Sequence, residues 1–303
     1  MITFIKKLSP FLLVALLTHG IAGFFMNGDT DTNYLRFTPI ANSGLIIGTS
    51  RAAQAICPDD ITIHPHLFNA CFSMNASPYG PIYSHYIKKI IDTTQLDQLF
   101  ILSVDPWALS SNFDSIVGSE NFTEENWMVS KTEYIMNPNF EFIIEQYGYG
   151  WGKIILEHFR PTSGMFLHNN GWLEVDRIYD EQKANQRRVG KLKNYNKEVG
   201  ANRHLSKQRL SAFIDLVQWL KNFGNIVIVR IPVHPEFYEL EYRFWPSFNT
   251  VIDSVCQAQN IHYWHPDHLN TELPFNDGHH MNRSGSHRFS GFLNVYIDSI
   301  LHN

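Results

Sequence analysis

The sequence predicts an α/β protein built on a largely parallel β-sheet. Short apolar runs typical of strands recur at residues 43–49, 61–69, 98–105, 225–232 and 260–265. Segments with the apolar spacing of amphipathic helices lie between them, at residues 79–95 and 205–224. Two of the strands are almost continuously apolar, as expected when both faces of a sheet are covered. Strands that alternate with helices in this way indicate βαβ units, and Gly224 is the expected end of the second helix.

The composition is that of a folded, mildly acidic protein. Hydrophobic residues make up 44% and charged residues 17% of the 303 positions, which excludes a disordered chain. The net charge of −5 gives no general attraction to nucleic acid. The three cysteines, Cys57, Cys71 and Cys256, show neither a disulfide framework nor metal-ligand spacing, so we expect buried, inert thiols.

Residues 1–27 form a separate N-terminal segment. Lys6 and Lys7 precede the uncharged run at 11–26, and acidic residues follow it, which is the order of a signal peptide or signal anchor. The run is shorter than the ~20 residues that usually span a membrane. Because no clear cleavage site follows, we expect an uncleaved transmembrane anchor, with a buried helix as the alternative. The charge order then places residues 28–303 outside the cytoplasm, in the periplasm or beyond the cell.

Ser50 stands where the first predicted strand gives way to a helix, in the segment LIIGTSRAAQAI at residues 45–56. Ligands of open α/β sheets bind beyond the carboxyl ends of the strands, so the Ser50 hydroxyl is expected at the binding edge. Amides at the start of the following helix would favour an anion there. The alternative is that Ser50 only caps the helix. Arg51 is expected either to hold a substrate carboxylate or phosphate or to lie on the surface of the first turn.

Residues 106–204 interrupt the alternation of strands and helices. They contain no comparable buried strand, but they contain the basic stretch QKANQRRVGKLKNYNK at 182–197. We therefore expect a helical insertion that forms a lid or a side subdomain. The basic stretch is expected to be a solvated helix face, with a grip on an anionic polymer as the alternative.

The C-terminal segment DGHHMN, residues 277–282, offers a base for Ser50. Asp277 precedes His280 by three residues, and on a tight loop its carboxylate can reach Nδ1 while Nε2 stays free. A nucleophilic serine needs both a base and a carboxylate that fixes the tautomer of the base. His280 titrates near neutral pH without special perturbation. His279 is the alternative base.

These blocks resemble those of the SGNH hydrolases, also called the GDSL lipase and esterase superfamily. GTS at 48–50 stands where the family has Gly-Asp-Ser, and DGHHMN stands where it has Asp-x-x-His. The resemblance covers most of residues 43–300. These blocks, together with VDP at 104–106, VRIPVHP at 229–235 and the N-terminal segment, are most similar to the membrane-anchored bacterial branch of the family. The resemblance implies a three-layer, flavodoxin-like parallel sheet, a nucleophile, base and acid at Ser50, His280 and Asp277, and no metal or other cofactor.

Two further blocks depart from the family's pattern. Met74 stands in place of the glycine whose amide stabilises the oxyanion, although the Met74 amide can still donate, and Asn75 follows it. Asp105 stands in place of the asparagine that donates to the oxyanion, and an ionised carboxylate cannot donate. A protonated Asp105, another role for Asp105, or donation from Asn75 or an asparagine of the insertion are the alternatives.

The sequence thus predicts a serine-dependent acyl ester hydrolase or O-acyltransferase. By resemblance, its expected substrates are acyl esters carried by an envelope polysaccharide or similar esters, and its expected partners include the membrane but no nucleic acid. The first alternative is a non-catalytic envelope glycan-binding protein with a degenerate SGNH fold.

A metal-dependent hydrolase is the remaining alternative. It would use the histidines of HYWHPDH, His262, His265 and His268, although Pro266 disfavours one continuous helix through them. Arg230 and His234 follow the fourth strand, where they are expected either to bind substrate or to pair with Glu236 or another carboxylate.

Overall fold

The computed structural model describes residues 2–24, 36, 43–71, 79–114, 119–121, 156, 159, 164–175, 180–201 and 203–302. Within them, the helices are α1 Ile2–Phe24, α2 Ser50–Ala55, α3 Pro81–Ile90, α4 Glu181–Ala201, α5 Lys207–Leu220, α6 Pro235–Phe244, α7 Phe248–Gln259 and α8 Arg283–Leu301. The strands are β1 Gly44–Ile47, β2 Phe68–Asn69, β3 Gln98–Ser103, β4 Ser110–Asp114, β5 Ser119–Asn121, β6 Met165–Leu167, β7 Leu173–Val175, β8 Arg203–Leu205, β9 Gly224–Val229 and β10 His262–Trp264. Short 3₁₀ helices span Pro58–Asp60 and Asp267–Thr271.

Five parallel strands form the central sheet, in the order β2-β1-β3-β9-β10. Numbered within this sheet alone, that order is 2-1-3-4-5, the order of flavodoxin-like doubly wound folds. The register places Leu45 of β1 beside Phe100 of β3 and Phe68 of β2. The predicted α/β fold with a parallel sheet is confirmed.

Helices cover the sheet on both faces. Alternate side chains of a strand point to opposite faces, and in β3 Phe100 packs into the core beneath α3, α5 and α7. Its neighbour Ile101 packs into the second core, beneath α2 and α8. Both side chains are fully buried, as is Phe289 of α8. Because both faces are closed, a ligand can approach the sheet only along an edge, and the carboxyl edge is the one that carries the predicted site.

Several elements are shorter than the sequence predicts. The strand expected at 61–69 is reduced to Phe68–Asn69, because the preceding residues form turns in which His66 has a positive φ of 66°. The helix expected at 79–95 ends at Ile90. Gly224 does not end a helix but begins β9. A Cβ there would lie 1.9 Å from the carbonyl oxygen of Gln98, so only glycine lets β9 start pairing with β3 at this point.

The insertion at 106–204 is not purely helical, which corrects the sequence prediction. In its described part β4 pairs with β5 and β8 in an antiparallel sheet, and β6 pairs with β7. All three residues of β7 are buried, so this region does contain a buried strand. The basic stretch lies on α4, as expected of a helix.

The N-terminal segment forms α1. The large apolar side chains that the structure describes in it, from Phe4 to Ile21, are exposed, among them Phe11 at 73%. In the part of the chain that the structure describes, no helix is long and apolar enough to span a membrane. The transmembrane helix expected at residues 11–26 is therefore not found there.

Candidate active site

Ser50 lies at the carboxyl edge of the central sheet, where β1 gives way to α2. The backbone of Gly48 passes so close to β3 that a Cβ on it would lie 2.7 Å from the Cβ of Ser103. Thr49 caps α2, because its Oγ1 accepts a hydrogen bond of 3.2 Å from the backbone N–H of Arg51. Since Thr49 supplies the cap, the Ser50 hydroxyl is left for the cleft.

Ser50, His280 and Asp277 form one continuous hydrogen-bonded chain. Ser50 Oγ lies 2.9 Å from His280 Nε2, and His280 Nδ1 lies 2.9 Å from Asp277 Oδ2. Asp277 Oδ1 also accepts a bond of 2.9 Å from the backbone N–H of His280. Gly278 permits this tight turn, since its φ is +92° and a Cβ would lie 2.4 Å from Phe237 Cε2. The structure thus brings together the three residues predicted to act as nucleophile, base and acid.

The hydrogen bonds fix the tautomer of His280. An ionised Asp277 only accepts hydrogen bonds, so His280 donates from Nδ1 and keeps the Nε2 lone pair for the Ser50 proton. Burial lowers the pKa of His280, and the opposing attraction of Asp277 does not restore it. Burial also opposes ionisation of Asp277, yet His280, His279 and Lys191 together hold its pKa far below the usual range. At neutral pH the pair is a carboxylate and a neutral imidazole, the state a general base needs.

Two residues of α4, Lys191 and Tyr195, were not predicted as site residues. Lys191 Nζ lies 2.8 Å from Asp277 Oδ2 and 2.6 Å from His279 Nε2. Tyr195 Oη lies 2.8 Å from His279 Nδ1. Lysine and tyrosine four positions apart share one helix face, but the spacing does not say that this face turns toward the loop at 277–280. The basic stretch is therefore not only a solvated face.

His279 is poorly placed to be the base. It is 4% exposed, and both of its ring nitrogens are engaged away from Ser50, one by Lys191 and the other by Tyr195. Burial lowers the pKa of His279 well below its ordinary value, and the neighbouring His280 lowers it further. A neutral His279 accepts from Lys191 at Nε2 and donates from Nδ1 to Tyr195, so its hydrogen bonding is already satisfied.

Arg51 is not a surface residue, which corrects one of the two expectations for it. It is 3% exposed, and its guanidinium lies 2.6 Å from Glu241 Oε1 and 3.7 Å from Asp105 Oδ2. Arg230 reaches the other oxygen of Glu241 at 2.9 Å. Burial opposes the charge of Arg51, but Asp105 and Glu241 raise its pKa above the ordinary arginine value. Glu241, which the sequence did not single out, is therefore the shared counter-ion of two buried arginines.

Three further residues that the sequence singled out, Asp105, Arg230 and His234, all have partners in the described part of the protein. Asp105 is 1% exposed, and its Oδ1 accepts a bond of 2.9 Å from the backbone N–H of Ala108. It acts as an acceptor and as a counter-charge for Arg51, which agrees with the alternative that Asp105 has another role. His234 lies 3.5 Å from Glu236, while Arg230 pairs with Glu241 instead.

Met74 and Asn75, predicted near the oxyanion, lie outside the described residues.

The cavity in front of Ser50 has a volume of about 260 Å³ and a wall of mixed polar and aromatic character. Hydroxyl, charged and aromatic side chains line it, and none of its lining residues in the described part of the chain is aliphatic. Among its charged residues, Arg203 lies 3.0 Å from Glu198, and Lys191 lies 2.8 Å from Asp277. Trp107 stacks on Phe244, and the Arg203 guanidinium lies 4.6 Å above its ring. The cavity thus suits a small polar or short-chain group.

Side chains that could together hold a metal ion occur at two places in the described residues. One is the cluster of Asp277, His279 and His280. The Lys191 ammonium already contacts a ligand atom of each of these residues. The other combines Cys57, Asp60 and His287, where Asp60 and His287 are already hydrogen-bonded at 2.7 Å. All of residues 262–268 are described, and the ligand atoms of their three histidines do not come together.

Comparison of the sequence with models of protein families gives no match, and comparison with curated proteins gives none either. The assignment of a function therefore depends on the site itself.

Proposed function

We propose that this protein is a serine-dependent acyl ester hydrolase or O-acyltransferase of the SGNH type. One observation supports the proposal above all: the unbroken chain from Ser50 Oγ through His280 to Asp277, with both contacts at 2.9 Å. Each member stands in the protonation state that the reaction needs. The residues required for covalent acyl transfer are thus within hydrogen-bonding distance before any substrate binds.

In the proposed reaction, Ser50 Oγ attacks the carbonyl carbon of the ester while His280 Nε2 takes the hydroxyl proton. The tetrahedral intermediate collapses, the bond to the leaving alcohol breaks, and His280 returns the proton to that alcohol. An acyl-Ser50 ester remains. Water or an acceptor hydroxyl then attacks it, His280 takes and returns a proton again, and free Ser50 is restored. Asp277 stays ionised throughout and orients the imidazolium.

The developing oxyanion is stabilised by backbone amides, for which we propose Ser50 and Met74. Asp105 is not a donor in this scheme, since its carboxylate accepts from Ala108 and faces Arg51. The loss of one oxyanion donor costs about 10²–10³ in rate, so a slow enzyme is expected.

The second candidate is a non-catalytic glycan-binding protein of the cell envelope. The carboxylate of Asp105 at the position of an oxyanion donor is the observation that favours it. A binding protein, however, has no use for a serine, a histidine and an aspartate aligned for proton transfer, so the enzyme is the better-supported proposal.

We also propose that residues 28–303 act outside the cytoplasm, on an acylated envelope glycan or a similar ester. The support is the order of Lys6 and Lys7, the apolar run and the acidic residues after it. Protease added to spheroplasts, in which any outer membrane has been opened, would degrade the domain under this proposal, whereas protection until the cytoplasmic membrane is lysed would contradict it.

The test of activity is hydrolysis of p-nitrophenyl acetate by the full-length protein. We expect Ser50→Ala and His280→Ala to lower kcat/KM by at least about 10³-fold. Ser211→Ala, which changes an exposed serine of α5, is the matched control and should leave activity intact. Activity that survives Ser50→Ala, or that disappears on treatment with a metal chelator, would contradict a serine mechanism.

A further inference from the structure

Lys191 is not a member of the proposed triad of Ser50, His280 and Asp277, but it places a positive charge beside it. Its ammonium lies 2.8 Å from Asp277 Oδ2, 2.6 Å from His279 Nε2 and 3.3 Å from His280 Nδ1. The first two atoms accept hydrogen bonds. The third is different, because His280 gives its Nδ1 proton to Asp277, so the contact with Lys191 brings two donors together.

We propose that Lys191 is a positioning residue of the active site, which holds Asp277 in line with His280 and keeps the imidazole neutral in mildly acidic solution. The inference rests on the proposed function, since it assigns Lys191 to the same reaction. It gives the insertion a role in catalysis, because Lys191 comes from α4 while the base comes from the loop before α8.

Contacts of neighbouring residues on α4 fix the part of the helix that carries Lys191. Arg187 Nε donates a hydrogen bond of 2.9 Å to the carbonyl oxygen of Asn276, at the start of the loop that carries the triad base. Arg188, the next residue of α4, pairs with Glu236 at the start of α6. Tyr195, one turn after Lys191, bonds to His279. These contacts hold α4 over the loop, and Lys191 lies between them.

The direction of the effect follows from the charges around His280. The titratable and charged groups that face it or line the same cavity are Asp277 and His279 on its own loop, Lys191, Tyr195 and Glu198 on α4, Arg51 on α2, Asp105 after β3, Glu241 on α6 and Arg203 on β8. Glu241 and Asp105 neutralise Arg51, and Glu198 pairs with Arg203.

Lys191 instead shares its counter-ion, Asp277, with His280. An imidazolium would then compete with Lys191 for one carboxylate, which disfavours protonation of His280. Burial is the largest cause of the lowered pKa of His280, and Lys191 lowers it further.

The experiment compares Lys191→Met with Lys191→Arg, and uses Lys193→Met as the matched control because Lys193 is exposed on the same helix. The His280 ring is titrated by NMR in full-length protein with ¹³C-labelled histidine, and its signal is assigned from His280→Gln. We expect a higher titration midpoint in Lys191→Met than in wild type, and the wild-type midpoint in Lys191→Arg and Lys193→Met.

The kinetic counterpart is the pH profile of p-nitrophenyl acetate hydrolysis. The ratio of Lys191→Met to wild-type kcat/KM should fall roughly fivefold or more between pH 8 and pH 5, because the variant base is protonated first. A purely structural role of Lys191 would lower activity equally at both pH values and would overturn the proposal.

The outcomes separate this inference from the proposed function. An unchanged His280 midpoint in Lys191→Met overturns the inference, whatever the activity. If the His280 midpoint is raised in Lys191→Met but the wild-type protein hydrolyses no ester, the proposed function is contradicted while the placement of Lys191 is supported. If both Lys191→Met and Lys191→Gln fail to fold, as judged by near-UV circular dichroism, Lys191 is a structural residue and the inference is wrong.

Discussion

Thr49, Ser50 and Arg51 follow one another in the chain and do three different things. Thr49 caps α2, Ser50 contacts His280, and Arg51 enters the buried pair with Glu241. Successive side chains of a helix point about 100° apart, so adjacent residues reach different surroundings. The roles of Ser50 and Arg51 depend on partners far away in the sequence, which is why the segment alone left two alternatives for each.

Glu241 is expected to be a major contributor to stability. Glu241→Gln would leave Arg51 and Arg230, both nearly inaccessible, without their shared carboxylate. We expect the free energy of unfolding to fall by about 3–5 kcal/mol, since an uncompensated buried charge is costly. Urea unfolding measures this, with Glu239→Gln on the exposed face of α6 as the control. A change as small as that of the control would show that the ion network contributes little.

The base should titrate below the ordinary histidine pKa of 6.5, because burial lowers the pKa of His280. Catalysis requires neutral His280, so kcat/KM is retained above this pKa and lost as the pH falls through it. The measurement is the pH profile of kcat/KM for the wild-type protein, which reports the free enzyme. An acidic limb with its midpoint above 6.5 would contradict the account.

At the scale of elements, the loop between the second 3₁₀ helix and α8 depends on Gly278. Its φ of +92° and its approach to Phe237 leave no room for a side chain. The turn places Asp277 under His280, so the conformation of one glycine determines the geometry of two site residues.

Gly278→Ala is therefore expected to lower the free energy of unfolding by about 1–3 kcal/mol, and kcat/KM by at least about 100-fold. Gly291→Ala on α8 is the matched control, because nothing lies within 4 Å of a Cβ at that position. It should raise stability by about 0.5–1 kcal/mol without loss of activity. Thermal unfolding and the esterase assay test both variants. Equal behaviour of the two would contradict the role assigned to the turn.

The central strands and the helices α2, α3 and α5 could be predicted because their apolar patterns are local, whereas α6, α7 and α8 were not predicted. The five strands of the parallel sheet lie within the predicted runs or start one residue outside them, as β9 does at Gly224. The insertion was harder, because strands such as β4 (SSNFD) and β5 (SEN) are short and largely polar, and they pair within the insertion or with β8. Short strands of this kind carry little periodic signal.

The site could be predicted in part for the same reason. Asp277 and His280 are close in sequence, and Ser50 follows a recognisable strand. Lys191 and Glu241 could not be predicted, because charged residues on amphipathic helices usually face solvent. Only the fold shows that these two charges point into the protein, one toward Asp277 and the other toward Arg51.

At the scale of the whole molecule, the cavity at the carboxyl edge of the sheet should select short acyl groups. Its volume is about 260 Å³, and no aliphatic side chain lines it in the described residues. We expect kcat/KM for p-nitrophenyl acetate to exceed that for the octanoate ester by at least about tenfold, because no aliphatic side chain of the described lining packs against the added methylenes. A preference for octanoate would show that the acyl site lies elsewhere.

The central claim is that Ser50 is an activated nucleophile. The most direct measurement is the reaction of full-length protein with a fluorophosphonate, followed by peptide mass spectrometry to locate the adduct. The account predicts one adduct per chain, on Ser50, which is absent in Ser50→Ala and strongly slowed in His280→Ala. A folded wild-type protein that forms no adduct, or that carries it on another residue, would contradict the account and favour the glycan-binding alternative.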